Sequence, residues 1–137
     1  MKPDFELDEE DRTQLIEWAL EARSHAYAPY SRFLVGASVL TQQGSLFHGC
    51  NVENASLGLT ICAERVAMGS AISAGFQRFR AICVVSEGGV APCGACRQFI
   101  REFGGDTVIL LVDADERSLK KETTIGQLLP DSFSLKS

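Results

Sequence analysis

The sequence predicts an α/β fold, with a mixed five-stranded sheet carrying helices on both faces. Three observations predict it. Two strand-like stretches joined by a glycine turn read as an antiparallel hairpin. Two continuous apolar runs further along read as strands buried on both faces. Helical stretches precede, separate and follow them, the pattern of βαβ units added to a hairpin.

Residues 9–27 have helical periodicity, with Leu15, Ala19, Ala22 and Ala26 on one face and Ile16, Leu20 and Tyr27 beside them. Asp8 is placed to cap the start, and acidic residues crowd the first turn, where the helix dipole favours them. Pro29 then biases Ala28 away from helical angles. "LVGASVL" (34–40) and "LFHGCNVEN" (46–54) form the hairpin, with Gly44 in the turn "TQQGS". After the loop "ASLGLT", a second helix runs from about Ile61 to Ala74, with Gly75 just past its end. Its small residues Ala63, Ala67, Gly69, Ser70, Ala71 and Ala74 let it lie close against a sheet or another helix. "FRAICVVS" (79–86) and "TVILLVD" (107–113) are the buried strands. The third helix, between them, starts near Pro92 and ends before Gly104 and Gly105. "LKKET" is a short edge strand protected by its lysines, and "TIGQLLP" a last short helix stopped by Pro130.

The 137 residues, without repeats or linkers, suit one domain spanning 1–137. A chain of this size buries roughly two-thirds of its unfolded surface and needs no disulfide staples. A net charge of -5 and the lack of a basic stripe argue against a general nucleic-acid binder or an editor of polynucleotides. The start "MKPDFELDEEDR" is acidic and lacks the apolar segment of a secretory signal. No apolar run approaches the ~20 residues of a membrane span. The expectation is a cytoplasmic protein, with no membrane partner and with its five cysteines reduced. In that compartment, clustered cysteines point to metal or catalysis rather than cross-links.

Cys93 and Cys96 are three apart at the start of the third helix, a spacing that turns both sulfurs to one side. Cys62 opens the second helix and is the third candidate ligand. Three soft ligands suit tetrahedral Zn²⁺, and three protein ligands with one open corner is the catalytic arrangement. Both helix N-termini favour the thiolate form that binds metal. Glu64, two residues after Cys62, is placed to take a proton from a water at the open corner and return it to a leaving group. Three thiolates on a dication leave a local charge of -1, so a nearby cation is expected. Arg65 is the candidate donor to a thiolate, and Arg97, after Cys96, the other. His25 and His48 are poor fourth ligands, while Cys50 and Cys83, in strands, read as small core residues.

Cys-x-Glu followed by Pro-Cys-x-x-Cys is the three-cysteine form of the zinc deaminase signature. With "YSRFLVGASVL", "GCNVENAS", "TICAERVA", "PCGACRQ" and "LLPDSF" in the same order, nearly the whole chain resembles the small homotetrameric cytidine deaminases. The resemblance implies a three-layer α/β/α fold, one zinc per subunit, and hydrolysis of cytidine and 2′-deoxycytidine to the uridine products plus ammonia. It implies that Cys62, Cys93 and Cys96 hold the metal and that Glu64 shuttles protons, to ring N3 and then to the leaving amine, as C4 is attacked. It further implies that Asn51 and Glu53 bind the ribose, Phe33 packs against the pyrimidine, and the backbone of Ala63 reads the base amide edge. Phe133 would help complete a neighbouring subunit's cavity, and the partners are a small nucleoside and three further copies of the chain.

The residues support part of this independently. Asn51 and Glu53 are i and i+2 on an expected strand, so both point to one face, and an amide beside a carboxylate grips a sugar hydroxyl well. Leu57 stands where the family commonly has a tyrosine that reaches toward an adjacent subunit, and Leu34 where proline is common. Two other readings compete. A relative resembling blasticidin S deaminase would share the zinc and the glutamate, but "NVEN" favours a ribose-bearing substrate. A non-catalytic zinc or thiol-redox protein would have no use for Glu64, Asn51 or Glu53.

Overall fold

The computed structural model describes residues 6–135; residues 1–5 and 136–137 of the expected single domain lie outside the described residues. The elements are α1 (Glu9–Arg23), β1 (Gly36–Thr41), β2 (Leu46–Cys50), α2 (Ala63–Ser73), β3 (Phe79–Ser86), α3 (Gly94–Arg101), β4 (Val108–Asp113), β5 (Ser118–Thr124) and α4 (Ile125–Leu128). The strands form one five-stranded sheet in the order β2-β1-β3-β4-β5. β3 and β4 run parallel and the other neighbours antiparallel, so the sheet is mixed, as expected.

Alternation along the strands builds two apolar layers, one on each face. Ala81, Cys83, Val85, Leu110 and Val112 meet Leu15 and Ala19 of α1. Ile82, Val84, Ile109 and Leu111 turn the other way, onto Ala63, Ala67, Met68 and Ala71 of α2 and Ile100 of α3. The result is a three-layer α/β/α sandwich. Cys83 is a fully buried core residue, and burial pushes its thiol up to about 12. Among the described residues, no helix is long and apolar enough to cross a membrane.

Three of the expected boundaries move together. Helix α1 ends at Arg23 rather than 27, where the Ser24 hydroxyl donates to the Glu21 carbonyl (2.6 Å). β2 ends at Cys50 rather than 54, and α2 begins at Ala63 rather than Ile61. Tyr27, Val52 and Ile61 instead pair with one another as isolated bridges: Val52 lies parallel to Tyr27 and antiparallel to Ile61. Four backbone bonds of 2.8–3.0 Å hold them together. Those tertiary bonds outcompete the helical and strand pairings that the local pattern favours. The N-cap of α1 forms as expected, with Asp8 accepting from the Asp11 N–H (2.8 Å) and Asp11 reciprocating (3.2 Å).

Both helical layers lie unusually close to the sheet at one glycine each. A Cβ on Gly36 would stand 2.0 Å from the Ala19 carbonyl oxygen of α1 and 2.6 Å from the Arg23 nitrogen. A Cβ on Gly49 would stand 2.5 Å from the Ala67 nitrogen of α2. Both obstructions are backbone and cannot swing away. Gly36→Ala is therefore expected to destabilise the protein by about 3 kcal/mol or more. Urea unfolding followed by circular dichroism measures this; a midpoint equal to that of the parent would contradict the close approach.

Candidate metal centre and substrate cavity

Helices α2 and α3 both begin on a cysteine. Cys62 is the N-cap of α2 and Cys93 the N-cap of α3, each with extended backbone angles. Cys96 lies one turn into α3 and is fully buried, whereas Cys93 is exposed. The three sulfurs lie within 4.8 Å of one another, and Cys62 Sγ is 4.0 Å from Cys93 Sγ. Sulfurs at the corners of a zinc tetrahedron, with bonds of about 2.3 Å, stand roughly 3.8 Å apart, so the cluster fits the ion. Among the described residues, no histidine or carboxylate joins it. The ring of His48 lies instead against Trp18, with centroids 5.3 Å apart.

The electrostatics favour a thiolate. The neighbouring Cys96 thiol, with the Arg65 guanidinium and Cys93, holds Cys62 down at about 5 against the opposing effect of burial. The proximity of Cys62 pushes Cys96 up correspondingly, and burial adds to the shift. Arg65 Nη2 lies 3.6 Å from Cys62 Sγ and 3.3 Å from the Thr60 carbonyl oxygen, so the expected cation does reach a sulfur. Arg97 does not. Its Nε donates to the Pro92 carbonyl (2.8 Å) and its Nη1 to the Leu128 carbonyl (2.8 Å), fastening the approach to α3 onto α4.

Glu64 is the second residue of α2 and is buried. Burial raises its carboxyl above the usual range, and the negative charge on Cys62 adds to the rise. A carboxyl so placed holds a proton more tightly than an exposed one, which suits it to accept a proton and pass it on. Glu64 and Cys62 open on a cavity of about 300 Å³, at the small end for ligand sites. Phe33, Asn51, Glu53, Ala63 and Cys93 also line it. β3 supplies the floor with Val84 and Ser86, and Val90, Ala91 and Pro92 form one wall. The cavity thus sits at the carboxyl end of a parallel strand, where open α/β sheets bind ligands.

Asn51 and Glu53 reach the cavity from an extended stretch just beyond β2, held by the Tyr27–Val52–Ile61 bridges rather than by regular strand pairing. Their side chains are also occupied. Asn51 Nδ2 donates to the Phe33 carbonyl (2.8 Å), and its Oδ1 accepts from the Val35 N–H (3.0 Å). Glu53 Oε1 accepts from the N–H groups of Tyr30 (3.0 Å) and Ser31 (3.1 Å), and its Oε2 accepts from the Ser31 hydroxyl. Phe133 is 68% exposed and does not line the cavity of its own chain.

Sequence reasoning missed two supports. Ser31 braces Glu53; its only sequence signal is a hydroxyl two residues before Phe33, the spacing of a serine turn. Ser86 and Asp113 brace the wall: Ser86 Oγ accepts from the Val90 N–H (3.0 Å), and Asp113 Oδ1 from the Gly88 N–H (2.8 Å). Nothing in the local sequence marks them beyond their place at strand ends.

Comparison with known proteins accords with this geometry. The family described as "Cytidine and deoxycytidylate deaminase zinc-binding region" matches residues 9–112, a span that includes all three cysteines. The cytidine deaminase of Sporosarcina psychrophila is 46% identical over 127 residues, covering 90% of this chain and 92% of the relative. A crystal structure of cytidine deaminase from Burkholderia pseudomallei superposes with a TM-score of 0.83 at 51% identity, covering 88% of this chain and 98% of the other. One from Mycobacterium tuberculosis superposes with a TM-score of 0.79 at 41% identity, covering 91% and 98%. Zinc is the cofactor. Cys96→Ser is expected to lose most of the bound zinc, read by elemental analysis of purified protein, against one ion per chain in the parent. Full occupancy in the variant would remove Cys96 from the ligand set.

Proposed function

This chain belongs to the cytidine and deoxycytidylate deaminase family, and from that premise we propose that it converts cytidine and 2′-deoxycytidine, with water, to uridine and 2′-deoxyuridine plus ammonia. The observation that carries the reading is a cluster of three sulfurs, two of them lining the same cavity as a buried carboxyl. Held by Cys62, Cys93 and Cys96, zinc supplies the Lewis acidity that makes water a competent nucleophile near neutral pH.

The chain's own residues do the rest. Glu64 takes one proton from the attacking water and delivers it to ring N3 as C4 is attacked; it then takes the second proton from the new C4 hydroxyl and passes it to the amine, which departs as ammonia. Its raised carboxyl suits both directions of transfer. Arg65 steadies Cys62 as a thiolate. Phe33 packs against the pyrimidine, the backbone of Ala63 reads the base amide edge, and Asn51 and Glu53 grip the sugar.

The reading extends to a homotetramer of single-domain chains, residues 1–137, working in the cytoplasm in pyrimidine salvage. Exposed apolar side chains support the oligomer. Leu57 (72% exposed), Leu59 (64%) and Ile61 (43%) follow one another beside the bridged Val52 and Tyr27, more than a monomer usually shows in one place. Phe133, unused in its own chain, is then free to reach a neighbour's cavity, and Leu57 meets that neighbour without a tyrosine's hydroxyl.

Two measurements test this. Glu64→Ala is expected to keep its zinc and to lose about 10³-fold or more in kcat on cytidine, read by the absorbance change on deamination; normal turnover at full metal occupancy would remove Glu64 from the mechanism. Sedimentation equilibrium of the zinc-loaded protein is expected to return the mass of four chains, and a monomer mass would end the shared-cavity reading of Phe133.

A further inference from the structure

Three consecutive hydrogen bonds link the two residues assigned to the sugar, and a fourth anchors the far end to Val35. The Ser31 hydroxyl donates to Glu53 Oε2 and accepts from the Phe33 N–H (3.0 Å). The Phe33 carbonyl accepts from Asn51 Nδ2 (2.8 Å), and Asn51 Oδ1 accepts from the Val35 N–H (3.0 Å). The chain of bonds thus runs from Glu53, through Ser31 and both peptide groups of Phe33, to Asn51. Between Ser31 and Phe33 the backbone turns through Arg32 at φ 61°, a left-handed conformation that a residue with a Cβ adopts only when its neighbours hold it there.

We infer that Ser31 is a positioning residue for nucleoside binding: its hydroxyl sets the sugar-binding carboxylate and the base-packing ring in one fixed relation. The inference rests on the proposed deaminase reading and deepens it. A carboxylate has about four acceptor positions. Tyr30 and Ser31 N–H groups take two at Oε1 and the Ser31 hydroxyl one at Oε2, which leaves a single position at Oε2 for a substrate hydroxyl. Without the Ser31 hydroxyl, Oε2 is free to turn toward water and the Phe33 N–H loses its partner. Sugar-side and base-side contacts then loosen together. None of these bonds reaches Cys62, Glu64, Cys93 or Cys96, which α2 and α3 carry. The loss therefore falls on KM rather than on kcat.

Steady-state kinetics of zinc-loaded parent, Ser31→Ala, Ser31→Thr and Ser31→Val with cytidine test this. Ser31 is exposed, so the threonine and valine side chains fit alike and differ only in the hydroxyl. About a tenfold rise in KM is expected for S31A and S31V, with kcat changed less than threefold and S31T close to the parent. The T/V pair keeps the comparison valid if alanine itself perturbs the loop. Equal KM values for S31T and S31V, or a loss confined to kcat, would overturn the role of Ser31 while the active parent leaves the deaminase reading standing. A zinc-loaded parent that leaves cytidine unchanged would overturn both.

Discussion

How closely α2 lies on the sheet decides where everything else in the site stands. Its buried face is Ala63, Ala67, Met68 and Ala71, mostly single methyl groups, against Ala37 and Val39 of β1. At Gly49 even a methyl would not fit between β2 and the helix backbone. That spacing places Cys62 and Glu64 at the mouth of α2, opposite Cys93 and Cys96 at the mouth of α3, with the end of β3 between them. A larger side chain along the seam would lift the helix and move a metal ligand and the buried carboxyl at the same time, because the two are separated by one residue.

The start of α2 meets two opposed electrostatic requirements within three residues. Cys62 is needed as an anion and Glu64 as a group that can carry a proton. The helix dipole favours negative charge at both positions, so it does not separate them. Their surroundings do. Cys62 is only half-buried and lies beside the Cys96 thiol and the Arg65 guanidinium, while Glu64 is buried and feels the charge of Cys62. Two acids one residue apart are thereby shifted in opposite directions, the thiol down and the carboxyl up, by solvation and hydrogen bonding.

Most of this architecture could be read in the sequence because its determinants are local. The apolar runs of β3 and β4, the cysteine spacing on α3 and the small face of α2 each depend on neighbours a few residues away. What escaped was non-local. The ends of α1 and β2 and the start of α2 moved together because Tyr27, Val52 and Ile61 pair across separations that no periodicity reports. Arg97 sits beside a metal ligand in sequence yet points to Leu128, thirty-one residues away. Ser31 carried only the weak mark of a serine turn, and its bond to Glu53 spans twenty-two residues. The neighbour-facing role implied for Phe133 concerns a contact between chains, which one protomer does not contain.

The bond from Arg97 to the Leu128 carbonyl ties the far end of the chain to the metal site. The same guanidinium clasps the Pro92 carbonyl at the entrance to the segment bearing Cys93 and Cys96. One side chain thus fastens the last helix to the approach that carries two of the three sulfurs. A truncation ahead of residue 128 would leave that guanidinium with one of its two anchors, so the C-terminal helix is a structural part of the centre although it supplies no ligand to it.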